Sequence, residues 1–174
     1  ALKTDKRAVT AGPGNPPAVV DDTANIEKAA QDIIAGASFD NNIICIDEKT
    51  TIVVRSVADE LLRAMARHGA RILKEHELHK VERLVFSSLG PPNRPGVING
   101  KWIGKDAAVI AQAAGVEVDG DPRLLVAEVP AEHSLVWTEQ MMPVMPVVRV
   151  GAVDEAIDLA VRSEHLFRHT ASIH

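Results

Sequence analysis

Cys45 is the single cysteine in a chain of 174 residues. It follows the turn-prone pair Asn41-Asn42 and lies among Ile43, Ile44 and Ile46. A thiol where a polar turn meets apolar residues can sit at a pocket floor. Its backbone N–H is then free to hold a developing oxyanion, which suits a nucleophile. The plainer role, an inert buried side chain, is the commoner fate of a free cysteine. Asp47 and Glu48 would oppose a thiolate if they faced it.

Other reactive residue types offer less. His76 and His79 stand three apart on an expected helix, but no further ligand completes a metal set. Their charged neighbours suit a solvated face, so no metal site is expected. His165, His169 and His174 lie near the end of the sequence, with no spacing that pairs them with Cys45. Gly12-Pro13-Gly14 lacks the order and the strand-to-helix setting of a dinucleotide loop. Glu139-Gln140-Met141-Met142-Pro143 reads as a loop ahead of a strand, its methionines as packing.

The elements that must position these residues alternate between strand and helix. Arg7 to Thr10 is strand-like, and residues 10–17 form a Pro- and Gly-rich loop. Ala18-Val19-Val20 is a short strand, and Asp22 and Thr23 are candidate caps for a helix through about Ile34, which Gly36 can end. Thr51 to Val54 is a β-branched strand. Ser56 with Asp59 resembles a capping box, with a helix running on toward Gly69. Further helices are expected over Lys74 to Val85 and Asp106 to Ala114, separated by an exposed loop from Gly90 to Gly100. Strands are expected over Leu124 to Val129 and over Val144 to Val150, the latter interrupted by Pro146. A helix from Val153 to Arg162 should turn Ile157 and Val161 inward. This alternation predicts an α/β fold with a parallel sheet flanked by helices.

Composition narrows the function. Apolar residues make up 46% and charged residues 25%, with a formal net charge of −5. No basic tract appears, which argues against nucleic acid or an anionic membrane surface as partner. No apolar run approaches the roughly 18 residues of a membrane helix. A lone thiol fits a reducing compartment, and ALKTDKRAVT lacks the apolar stretch of a signal peptide, so a cytoplasmic location is expected. Both ends run through strand-like stretches, so the chain is expected to be one domain truncated at both ends.

Three segments together resemble the aldehyde dehydrogenase superfamily. Gly12-Pro-Gly-Asn-Pro-Pro, with the Ala-rich helix that follows, is similar to the family's Glu-Leu-Gly-Gly-Lys-Ser-Pro loop. Phe39-Asp-Asn-Asn-Ile-Ile-Cys45 resembles its nucleophile turn. Glu139-Gln-Met-Met-Pro-Val resembles its Glu-Ile-Phe-Gly-Pro-Val segment, and Asp154 to Ala160 the helix after it. The resemblance covers nearly the whole chain and implies the family's catalytic domain, without its N-terminal NAD-binding domain. It implies Cys45 as nucleophile, with Asn42, Ile44 and Ile46 around the substrate and Glu139, Met141, Ala11 and Gly12 at the cofactor. Met141 replaces the family's aromatic residue beside the nicotinamide.

Ala11 stands where hydrolytic members carry a glutamate base. Alanine accepts no proton, so water should attack a thioester slowly, whereas a thiol ionises readily. The wording is similar to the CoA-acylating acetaldehyde and propionaldehyde dehydrogenases. That implies oxidation of a short aliphatic aldehyde to acyl-CoA, with NAD as cofactor and coenzyme A as co-substrate. It also implies a homo-oligomer in the intact protein and a cytoplasmic setting that includes bacterial microcompartments. A hydrolytic dehydrogenase with a relocated base and a catalytically silent structural fragment are the alternatives.

Overall fold

The computed structural model describes Arg7 and residues 12–174. The strand-like stretch at residues 8–10 and Ala11 lie outside the described residues. The elements are β1 Pro17–Val20, α1 Ile26–Ala37, β2 Thr50–Val54, α2 Arg55–Arg67, β3 Ala70–Ile72, α3 Glu75–Val85, β4 Phe86–Ser88, β5 Val97–Ile98, α4 Ala107–Ala113, β6 Leu124–Glu128, β7 Val144–Val150, α5 Val153–Ser163 and β8 Ser172–Ile173.

Six strands form one sheet in the order β3-β6-β7-β2-β1-β8, and every pairing in it is parallel. The central strands are apolar and buried along their length, as a sheet covered on both faces requires. Alternate residues serve opposite faces. Val53 and Val126 pack with Ile33, Leu61 and Met65 of α1 and α2. Ile52 and Leu125 pack with Val81, Ile110 and Leu159 of α3, α4 and α5. The α/β architecture read from the sequence is therefore the one observed. No helix of the described residues is long and apolar enough to cross a membrane.

Several local expectations are corrected. Neither Asp22 nor Thr23 caps α1. Asn25 does, its side chain accepting from the Lys28 N–H, while Asp21 takes the Thr23 N–H in a tight turn. Gly36 lies inside α1 instead of ending it, because a Cβ there would overlap the Glu48 carboxylate. The helix closes at Ser38, whose N–H and hydroxyl both donate to the Ile34 carbonyl. Ser56 is already within α2, and Asp59 turns to Arg149.

Pro146 does not interrupt β7, which pairs with β6 through it; register with β2 starts one residue later, at Thr51–Val147. Part of the 90–100 loop forms β5, which pairs antiparallel with β4. On α5 the buried face is Ala156, Leu159, Ala160 and Ser163, and Ile157 and Val161 remain 43% and 51% exposed. The small residues let the helix approach β1 and β2 closely, and the two larger ones are turned aside.

Candidate active site

The turn before Cys45 is built from left-handed residues. Asp40, Asn41 and Asn42 have φ of 44°, 54° and 64°. Few L-residues accept that region, and Asp and Asn accept it best because their short side chains bond locally. Asn41 donates to the Gly104 carbonyl (3.1 Å) and to Asp106 (2.7 Å). Asn42 is buried and donates to the carbonyls of Ala37 (2.8 Å) and Glu48 (3.0 Å). The chain then reverses at Cys45. The Ile44 N–H donates to the Asp47 carboxylate and the Asp47 N–H donates to the Ile44 carbonyl, each at 3.1 Å. Cys45 sits on this turn, partly exposed. Its backbone N–H has no hydrogen-bond partner among the described residues.

The acids beside Cys45 are engaged elsewhere. Asp47 is bound to Ile44, and burial pushes its carboxyl up despite the opposing Lys49 charge. Glu48 turns toward Gly36 and Ser172, and burial raises its carboxyl as well. Lys49 is almost fully buried, and its ammonium donates to the Asn42 carbonyl (2.7 Å), the Asn42 side-chain oxygen (2.8 Å) and the Ile44 carbonyl (3.0 Å).

Other segments converge on this turn. Gly14 is buried, and a Cβ on it would lie 2.8 Å from the Cys45 carbonyl oxygen and 3.3 Å from Cγ of His169. The Lys49 N–H donates to the Pro16 carbonyl at 2.8 Å, so the Gly12 loop and the thiol are tied together. Gly104 has φ +67°, and a Cβ there would overlap Ile43. Its N–H donates to the Met141 carbonyl at 3.0 Å, which joins the nucleophile turn to the segment before β7. Glu139 is partly exposed, with no hydrogen-bond partner for its carboxylate among the described residues. It lines a cavity of about 400 Å³ with Pro13, Asn15, Trp137, His165 and Phe167.

Thus Cys45, Asn42, Ile44, the Gly12 loop, Glu139 and Met141 come to one region, while Ile46 is 57% exposed. Ala11 lies outside the described residues. Lys49 and Gly104 escaped the sequence reading, since lysine usually marks surface and glycine a turn. Gly14 was read only as part of a tight loop, and His169 only as a histidine with no spacing that pairs it with Cys45. His79 pairs with Glu82 at 2.8 Å, and among the described residues no group of three His, Cys, Asp or Glu side chains could hold a metal ion.

Residues 1–82 match the model of the aldehyde dehydrogenase family. The acetylating acetaldehyde dehydrogenase EutE of Salmonella typhimurium is 49% identical over 171 residues, 98% of this chain and 36% of that protein. The chain belongs to the aldehyde dehydrogenase family. Solved family structures superpose on it closely. Rhodopseudomonas palustris propionaldehyde dehydrogenase, with bound CoA and an acylated cysteine, gives a TM-score of 0.88 at 45% identity, covering 99% of this chain and 38% of that one. A propionaldehyde dehydrogenase from the Clostridium phytofermentans fucose utilisation bacterial microcompartment gives 0.88 at 38% identity, with the same 99% and 38% coverage. The chain spans a little over a third, 36%, of the length of these curated relatives.

Proposed function

We propose that this chain is the cysteine-nucleophile part of a CoA-acylating aldehyde dehydrogenase that oxidises a short aliphatic aldehyde to its acyl-CoA. One observation carries the reading. Cys45 is accessible on a turn with its own N–H unpartnered among the described residues, against the Gly14 loop. Similarity to a propionaldehyde dehydrogenase with an acylated cysteine supports it.

The chemistry follows from that placement. The Cys45 thiolate forms a bond to the aldehyde carbon, and the carbonyl electron pair moves onto oxygen. The Cys45 N–H supplies one hydrogen bond to that oxyanion. NAD, when bound, supplies the acceptor for the hydride that leaves this carbon as the thioester forms. The Glu139 carboxylate, without a hydrogen-bond partner among the described residues, suits ribose hydroxyls, which are donors in search of an acceptor, and Met141 and the Gly12 loop are this chain's other residues that would face the cofactor. The CoA thiolate then attacks the acyl carbon, the bond to Sγ breaks, and Cys45 returns as thiolate. Ala11 offers no base for water, so the thiol acceptor is favoured. Ile44 and the partly exposed Ile43 present apolar surface suited to a short alkyl chain.

The test uses the full-length gene product with propionaldehyde, NAD and CoA, following NADH and acyl-CoA. Both should form together, and Cys45→Ala should abolish both. CoA-independent carboxylate production at the same rate would establish the hydrolytic alternative, and no turnover would establish the silent one. The likeness to a microcompartment enzyme extends the proposal to that setting, and the family resemblance extends it to an oligomeric protein. Activity that fails to sediment with shell particles from the native host would remove the setting.

A further inference from the structure

A buried lysine organises the nucleophile turn. Lys49 is 1% exposed, among the most completely buried large side chains in the described residues. Its ammonium faces three oxygens within 3.0 Å, and all belong to Asn42 and Ile44, the residues just ahead of the thiol. An ammonium has three protons to give and a neutral amine only two, so this arrangement is complete only with the charge present. The same oxygens would otherwise be buried acceptors without donors, in a turn whose backbone is already strained at three successive positions. With the Asn42 and Ile44 oxygens drawn inward and the Ile44 N–H taken by Asp47, the next N–H along the chain, that of Cys45, is left over.

We propose that Lys49 is the positioning residue of this turn: its ammonium gathers the oxygens of Asn42 and Ile44 inward and so presents the Cys45 N–H and thiol to the reacting carbonyl. The charged and titratable groups facing this centre are Asp40, Asp47 and Glu48 from the turn itself, Glu139 from the segment before β7, and His169 across from Gly14. Burial disfavours the charge on Lys49, and Asp47, Glu139, Cys45 and Glu48 oppose that effect.

The inference rests on Cys45 as nucleophile, and its test is independent of turnover. In the full-length gene product, the rate of Cys45 alkylation by iodoacetamide is measured against pH for the parent and for Lys49→Met, which keeps length and removes charge. The variant should react about tenfold more slowly at every pH, and Lys49→Arg, which keeps the charge and its donors, should recover part of that rate. Superimposable profiles in a folded variant would overturn the role of Lys49 even if the parent forms acyl-CoA. A slowed Lys49→Met variant of a parent without CoA-dependent turnover would uphold the positioning role and sink the functional reading instead. Should Lys49→Met not fold, lysine-selective ¹⁵N spectra of the parent serve. An ammonium resonance protected from exchange, moving when Cys45 is alkylated, supports the role; the absence of any such resonance refutes it.

Discussion

Replacing Gly14 by alanine should slow the enzyme by displacing the backbone of its nucleophile. The new Cβ would lie 2.8 Å from the Cys45 carbonyl oxygen, where ordinary contact begins at 3.4 Å. The atom that must yield is backbone, directly attached to the nucleophile, so the thiol moves by roughly the difference, about 0.6 Å. A misplacement of about 1 Å can cost about a hundredfold in rate. Scaled to this displacement, kcat/KM should fall roughly fifteenfold, or about 1.6 kcal/mol of transition-state stabilisation. Stability should change by a comparable amount. Overpacking costs about 1–3 kcal/mol, but Gly14 is not in the left-handed region, so reducing unfolded-chain freedom returns about 0.4–1 kcal/mol. The assay is steady-state acyl-CoA formation by the full-length product, with the Cys45 alkylation rate and thermal midpoint measured alongside. Gly100→Ala, with nothing within 4 Å of its Cβ, is the control. A Gly14→Ala enzyme within twofold of the parent would refute the tie between this loop and the thiol.

Two further predictions concern buried carboxyls. Burial raises Glu48 above its ordinary value of 4.5, so its contribution to stability is largest when protonated and declines as pH rises through the folded-state value. Glu48→Gln should therefore be at least as stable as the parent at pH 7 and lose that advantage near pH 4, as urea melts at the two pH values will show. Glu82 behaves oppositely. Burial pushes it up, but hydrogen bonds from His133 (2.5 Å) and His79 (2.8 Å) bring it below 4.5. Its stabilisation is present above that value and fades as pH falls through the folded one. Glu82→Gln should cost about 1–3 kcal/mol at pH 7, with a smaller difference in acid, and a variant equal to the parent at pH 7 would contradict the pairing.

Much of the fold was legible in the sequence because its signals are local. Apolar runs such as Thr51 to Val54 and Leu124 to Val129 mark strands covered on both faces, and strand–helix alternation leaves few arrangements besides a parallel sheet. The turn at Asn41-Asn42 was legible for the same reason, since left-handed backbone selects those side chains. The Cys45 region was found through the order of three segments resembling a family, and Gly14 of the first packs on the Cys45 carbonyl of the second.

Tertiary structure alone decided the rest. Lys49 carries a side chain that sequence places on the surface, and only the convergence of Asn42 and Ile44 oxygens makes its burial favourable. Gly14 reads as a turn residue until the Cys45 carbonyl, distant in sequence, is packed against it. Ile157 and Val161 carry the apolar surface expected of an inward face, yet the sheet takes Ala156 and Ala160, because close approach to β1 and β2 leaves room only for small side chains. Residue type and spacing determine what a segment can form; which groups are desolvated, and which charge then becomes indispensable, depends on what the fold brings alongside.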